Sequence, residues 1–209
     1  RLYHENMFTT KYEKRDSAVK PMNCPGGMLV YKNSPKSYKD LPLRVGELGV
    51  VHRQELSGTL AGLFRVIQFT QDDAHIFCTK RQLSKEIIGV IKMFLEMIKK
   101  FGFEKYRFTI SVRSEEKKDK YLGDDKTWGL AEKTLAKGLD SLGLKYDIEP
   151  GEAKFYGPSL DLHLKDSRGR EWQCSTVQLD FAIPERFQLT YTDEKGKDQT
   201  PIMLHRVVY

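Results

Sequence analysis

The sequence predicts an α+β domain: a mostly antiparallel sheet flanked by helices. Three observations predict it. Two long extended runs, Leu43–Glu55 and Leu63–Cys78, flank a loop at Leu56–Gly62 whose Ser57, Gly58, Thr59 and Gly62 are turn-forming residues. Two amphipathic helical stripes follow, and short alternating segments fill the C-terminal third. Long hairpins with helices set between them favour antiparallel pairing over a regular βαβ alternation.

The elements follow in order. Arg1–Lys20 is polar, with Tyr3, Met7 and Phe8 as packing residues and Lys11–Ser17 as a charged loop. Lys20–Met28, KPMNCPGGM, holds two prolines and two glycines, which argues against regular structure around Cys24. Met28–Asn33 reads as a short helix, and Pro35 and Pro42 bracket a loop into the central hairpin. Thr79 and Gln82 make a capping-box signal. The helix behind them carries Leu83, Ile87, Ile91, Phe94, Leu95 and Ile98 on one stripe, with Gly102 suited to the C-terminal cap. Tyr106–Arg113 alternates as a strand, with Phe108, Ile110 and Val112 on one face. After the charged loop Ser114–Asp125, a second helix carries Trp128, Ala131, Leu135, Leu139 and Leu142 and is closed by Gly143. Both stripes are read as core. Leu144–Ile148, Pro158–Leu164, Arg170–Phe181, Phe187–Thr192 and Thr200–Leu204 complete the strands. Gly169 turns the chain, and Asp193–Asp198 is a polar turn.

At 209 residues the chain can bury a full core as one domain. Its 39% hydrophobic and 31% charged residues are the balance of an ordinary folded chain, not a disordered one. With 35 basic against 29 acidic residues the net charge is +6, a mild excess compatible with an anionic partner such as a nucleotide or RNA. Cys24, Cys78 and Cys174 are widely spaced and odd in number. That argues against a disulfide framework and for a reducing, cytoplasmic setting. No apolar run reaches membrane length, so no membrane partner is expected.

The central hairpin carries the candidate chemistry. Successive strand side chains point to opposite faces. Arg65, Phe69, Gln71, Asp73 and His75 share one parity, as do Glu47, Arg53 and Glu55 in the preceding run. The opposite parity (Phe64, Val66, Gln68, Thr70, Asp72, Ala74, Ile76, Cys78) is not clearly more apolar. Plain amphipathicity therefore does not account for the pattern, and a functional face does. Cys24, His75 and His205 offer one thiolate and two imidazoles, a catalytic-type zinc set with a position left for substrate. They match no local metal motif. From the residues alone His52 and His163 are equal candidates, and a purely packing Cys24 is the plainer alternative.

Taken in order, KPMNCPG, HRQELSG, FTQDDAHIFC, FYGP, WQCSTVQLDF and PIMLHR resemble the catalytic core of the threonyl-tRNA synthetase family, class II aminoacyl-tRNA synthetases. Order and approximate spacing agree over essentially the whole chain. The resemblance implies ATP-dependent activation of L-threonine to threonyl-adenylate and its transfer to tRNA(Thr), the reaction of a threonine–tRNA ligase. It implies Zn²⁺ held by Cys24, His75 and His205, recognising the amino and hydroxyl groups of threonine. Asp73 would accept from that hydroxyl, and Met22, Gln71, Tyr156 and Gln178 would line the pocket. A site built to bind a hydroxyl rejects the analogue lacking it, so valine should be excluded while serine still enters.

On the ATP side, residues 43–78 resemble class II motif 2. Arg53 matches the catalytic arginine on the α-phosphate, Glu55 a carboxylate near the adenine amino group, and Arg65 an arginine on the γ-phosphate. Phe69 matches the ring stacked on adenine, and Gln173 a contact to ATP or to its Mg²⁺. Three positions depart from the family pattern: Gly27 for histidine, Ser159 for lysine and Ser175 for glycine. The resemblance also implies that residues 1–209 are a catalytic core incomplete at both ends, with motif 1, motif 3 and the editing and anticodon-binding domains absent. The homodimer and the contacts to tRNA(Thr) would belong to the full-length protein. The alternative is a non-catalytic synthetase-like paralogue or fragment acting as a ligand- or RNA-binding module. Gly27, Ser159 and the missing motifs favour it. A third reading, a structural interaction domain with a vestigial site, is opposed by intact Cys24, His75, His205, Asp73 and Arg53.

Overall fold

The computed structural model describes residues 4–63 and 65–208. Tyr3 and Phe64, assigned above to packing and to a strand face, lie outside them. The elements are β1 (Thr9–Tyr12), β2 (Arg15–Ala18), α1 (Cys24–Lys32), β3 (Leu43–His52), β4 (Gln68–Cys78), α2 (Lys80–Lys100), β5 (Tyr106–Val112), α3 (Asp125–Asp140), β6 (Tyr146–Pro150), β7 (Ser159–Lys165), β8 (Glu171–Asp180), α4 (Ile183–Arg186), β9 (Tyr191–Thr192), β10 (Asp198–Gln199) and β11 (Ile202–Val207). Seven strands form one sheet in the order β3-β4-β11-β8-β7-β5-β6. Every pairing in it is antiparallel except β5 with β6, which α3 separates in the chain. A parallel neighbour requires such a crossover, so the expected antiparallel sheet contains one βαβ unit.

The sheet has two chemically distinct faces. On one, Ile76, Leu204, Leu179, Val177, Leu160, Leu162, Phe108 and Ile110 pack beneath α2 and α3. Leu83, Ile87, Ile91, Phe94 and Ile98 of α2 and Leu135 and Leu139 of α3 supply the other half of this core. Each fully buried side chain of this size contributes about 1.5–3 kcal/mol. The start of α2 is set by Gln82, whose Oε1 accepts from the Thr79 N–H at 2.9 Å and whose Nε2 donates to the Leu41 carbonyl. Glu86 is buried in the same helix and is neutralised by two 2.7 Å hydrogen bonds from Arg44, which ties edge strand β3 to α2.

The opposite face is polar, and register makes it so. Val45, His75, His205, Gln178, Ser159 and Ser111 form one continuous row across six strands. The next row is Glu47, Asp73, Val207, Thr176, Asp161 and Thr109. A smaller core of Met28, Tyr31, Leu41, Phe77, Leu189 and Met203 closes one end of this face under α1.

Several local expectations are corrected. The KPMNCPGGM stretch is not irregular throughout, because α1 begins at Cys24 itself with Pro25 in its first turn. There the missing N–H costs nothing and the fixed φ suits a helix. Lys11–Ser17 is part of the β1–β2 hairpin rather than a loop. The second run of the central hairpin is strand only from Gln68. Phe187–Thr192 is strand only at Tyr191–Thr192.

Candidate metal and substrate site

Three elements that meet on the polar face bring Cys24, His75 and His205 together. Cys24 opens α1, and His75 and His205 are direct partners across β4 and β11. One donor atom from each lies within 4.8 Å of the others, and Cys24 Sγ is 3.3 Å from His205 Nδ1. Donors around tetrahedral zinc lie about 3.3–3.6 Å apart when Zn–S is ~2.3 Å and Zn–N ~2.0–2.1 Å. Both imidazoles are buried, and their rings meet edge to face at 5.2 Å. His52 and His163, equal candidates by sequence, lie elsewhere: His52 ends β3, and His163 contacts Thr109 and Glu171.

The donor set fits a metal on two further grounds. His75 Nε2 is buried and finds no hydrogen-bond partner, the mark of a ligand atom rather than a structural one. His205 Nε2 lies 2.9 Å from Asp180 Oδ2, and Asp180 Oδ1 accepts from the Ala182 and Ile183 N–H groups. A carboxylate only accepts, so Nε2 of His205 carries a proton and Nδ1 is turned toward Cys24. Burial pushes the Cys24 thiol up. The charge and hydrogen bond of His205, with a smaller share from His75, outweigh it and bring the thiol down to about 6. Burial likewise disfavours His205 as a cation, but Cys24 and Asp180 raise it well above the ordinary imidazole value. The thiolate, the form that binds metal, is therefore favoured at neutral pH. Asp180, to which the sequence analysis gave no role, was visible only as the acidic end of WQCSTVQLDF.

The remaining predicted residues divide between this corner and its flank. Asp73 is buried one strand position pair from His75 on the same face of β4, and its Oδ2 accepts from Asn23 Nδ2 at 3.0 Å. The Tyr156 hydroxyl donates to Gln178 Oε1, and the Tyr156 ring packs on His205 at 5.1 Å. The FYGP turn fits this closely only because residue 157 is glycine, since a Cβ there would meet the Leu179 carbonyl oxygen at 1.7 Å. Gln71 lies on the same face of β4, and Met22 is half-buried just before α1.

Arg53 follows β3; its Nε donates to the Pro21 carbonyl and its guanidinium lies over the Phe69 ring at 5.2 Å. Arg65 and Glu55 are bound to each other, at 2.8 and 3.1 Å. Gln173 has opposite parity to Gln178, yet both reach the polar face. Leu162 pairs with Ser175 and His163 with Gln173, so Cys174 is a bulge that flips the strand. Gln173 Nε2 donates to Asp161 Oδ1.

The three departures separate as well. Gly27 is buried against His75, Ser159 donates to Asp161, and Ser175 lies on the core face and donates to the Val208 carbonyl. A cavity of about 850 Å³ beyond FYGP shares Tyr156 with the site but none of the metal donors.

The family described as the tRNA synthetase class II core domain (G, H, P, S and T) matches residues 8–208. The chain belongs to that class II synthetase core family. Within the family its similarity is to threonine enzymes. It is 53% identical over 207 residues to the threonine–tRNA ligases of Clostridium botulinum (strain Loch Maree / Type A3) and Carboxydothermus hydrogenoformans. Each match covers 99% of this chain and 32% of the relative, so the chain spans about a third of the curated relatives it matches. A crystal structure described as the RNA binding domain of threonyl-tRNA synthetase from Cryptosporidium parvum Iowa II superposes with a TM-score of 0.92 at 39% identity. That match covers 99% of this chain and 51% of the other. The class II core fold expected from the motifs is thus the observed one.

Proposed function

We propose that this chain is the amino-acid-activating part of a threonine–tRNA ligase. It would join L-threonine to ATP as threonyl-adenylate and, in the full-length protein, pass it to tRNA(Thr). The observation that carries this reading is the convergence of Cys24, His75 and His205 beside Asp73 on the central hairpin. Zn²⁺ held by those three side chains would supply a Lewis-acid position for the amino and hydroxyl groups of threonine. Asp73 accepts the hydroxyl hydrogen, so valine would leave a buried carboxylate unpaired. Tyr156 and Gln178, tied to each other, form one wall of the amino-acid pocket with Met22 and Gln71.

ATP enters with its Mg²⁺ along the motif 2 flank. Phe69 takes the adenine face and Glu55 its amino group. Arg65 reaches the γ-phosphate, and Gln173 contacts the nucleotide or its Mg²⁺. Arg53 is the catalytic residue, a planar fork matched to the α-phosphate oxygens. The threonine carboxylate attacks the α-phosphorus in line. Its C–O–P bond forms as the bond to the bridging oxygen breaks, and pyrophosphate leaves with the electron pair. The chain's contribution is positioning and charge stabilisation. The homodimer and the cytoplasmic setting belong to the same proposal, and no described helix is long and apolar enough to cross a membrane.

The test uses the full-length protein that contains this chain. Metal analysis should find one zinc per chain, and ATP–pyrophosphate exchange should respond to threonine, not to valine, and stop on chelation. Zinc binding without any exchange would favour the ligand-binding alternative.

A further inference from the structure

The geometry points to Asn23 as a positioning residue that aims Asp73 at the substrate hydroxyl, with Gly49 providing the space it occupies. This inference rests on the threonine-activating reading above. Asn23 is 1% exposed and immediately precedes Cys24. Its Nδ2 donates to Asp73 Oδ2 at 3.0 Å, the one side-chain hydrogen bond that this carboxylate accepts among the described residues. The orientation follows from chemistry: a carboxylate cannot donate, so the amide nitrogen must face it. One Asp73 oxygen is thereby committed to the protein, and the other remains to accept from a hydroxyl. An acceptor fixed in direction discriminates better than one free to rotate, because the ordering cost is met before substrate arrives.

Two further observations argue that the amide is more than packing. Asn23 Oδ1 is buried without a hydrogen-bond partner. A group kept only for stability gains nothing from an orphaned acceptor, which makes the net value of the amide to folding small. Gly49 in β3 lies directly beneath it. A Cβ at residue 49 would fall 2.2 Å from Asn23 Nδ2 and 2.4 Å from its Oδ1. Only glycine lets the amide lie flat over β3 and reach β4. Three elements, the start of α1, β3 and β4, therefore converge to hold one carboxylate oxygen.

The test compares Asn23→Ala, Gly49→Ala and the double variant with the unmodified full-length protein, in pyrophosphate exchange with threonine and with valine. Zinc content and thermal midpoint are measured alongside. Asn23→Ala should lower kcat/KM for threonine about 10- to 100-fold, mostly through KM, as expected for loss of a hydrogen bond to a charged group. The threonine-to-valine ratio should fall at least tenfold while zinc stays at one per chain. Gly49→Ala should produce the same fall with Asn23 chemically intact. The double variant should be no worse than either single one, because both remove one interaction. A merely structural Asn23 would lower the midpoint and leave the threonine-to-valine ratio unchanged, and that result overturns the inference. Additive losses in the double variant also overturn it. If the unmodified protein shows no preference for threonine over valine, the underlying reading fails first, and the two failures are told apart by that arm alone.

Discussion

At the middle of the sheet, Cys24, His75, His205, Asp73 and Asp180 are held from several sides at once. A few residues along the same hairpin, Arg53, Glu55 and Arg65 lie beyond the ends of β3 and β4, and Glu55 and Arg65 are joined chiefly to each other. In the first region His75, His205 and Asp73 are placed by strand register, Cys24 by the start of α1, and His205 also by the Asp180 carboxylate behind it. In the second, the Arg65 side chain is 55% exposed and, among the described residues, is held by its ion pair with Glu55. On the proposed reading, the difference separates a threonine site from an ATP site. Telling threonine from valine needs a rigid, desolvated acceptor. A triphosphate, carrying several negative charges, can be gathered by more exposed cations such as Arg65. The comparison can be broken by variants that act on one region and leave the other alone.

The largest effect is expected for Cys24→Ser. It exchanges a thiolate for a hydroxyl that stays protonated, so zinc affinity should fall more than ~100-fold, with threonine binding lost in parallel. Competition with a chelator and calorimetry with threonine measure the two losses. Retention of threonine binding without zinc would separate what the comparison joins. Asp180→Asn comes next. Its amide cannot both accept from the Ala182 and Ile183 N–H groups and accept from His205 Nε2–H without reorienting. Loss of such a partner behind a metal-ligating histidine typically costs about 10–100-fold in affinity. ATP binding measured by KM should stay the same.

Arg65→Ala acts on the other region. The ion pair it removes joins a half-exposed guanidinium to a carboxylate only 13% exposed, so stability should fall by about 1–3 kcal/mol as Glu55 loses its partner. Loss of a charged hydrogen bond to phosphate should raise the KM for ATP about tenfold, at unchanged zinc content and threonine affinity. A fall in zinc affinity in this variant would show that the two regions are coupled.

Legibility in the sequence follows the same division. The stripes Leu83–Ile98 and Trp128–Leu142 were plain because one-sided burial leaves a 3.6-residue period. The structure buries these residues except Leu95 and Leu142, which are half-buried, and α3 ends at Asp140, before Leu142. The parity of Phe69, Gln71, Asp73 and His75 was legible for a different reason, the two-residue alternation of a strand, since burial of β4 is not one-sided. The β1–β2 hairpin was hidden because its turn places Glu13 and Lys14 at φ 47° and 64°, a conformation usually announced by Asn or Gly. The bulge at Cys174 left no mark in the sequence, so only the structure explains how Gln173 and Gln178 share a face. Asn23 and Asp180 stand inside recognisable motifs. Their partners, Asp73 and His205, are 50 and 25 residues away, and nothing local states that pairing.

Gly27→Ala offers the finest test, because its two consequences have opposite signs. Gly27 lies inside α1, and a Cβ there would sit 3.2 Å from His75 Nδ1 and 3.6 Å from its Cγ. That is tight enough to push the ring by a few tenths of an ångström without blocking it. A shift of that size in one ligand should lower zinc affinity only a few-fold, less than removing the carboxylate behind His205. The same substitution replaces the poorest ordinary helix former by the best, worth about 1 kcal/mol in a helix interior. The metal-free protein should therefore melt slightly higher than the unmodified one, while the zinc-bound protein gains less or nothing. Two melting curves, with zinc and with chelator, measure both terms. If the two curves rise by the same amount, the His75 ring accommodates the methyl freely, and the metal corner is less rigid than its burial implies. If the metal-free curve falls, the contact with His75 costs more than the helix gains, and the corner is set by packing before any metal arrives.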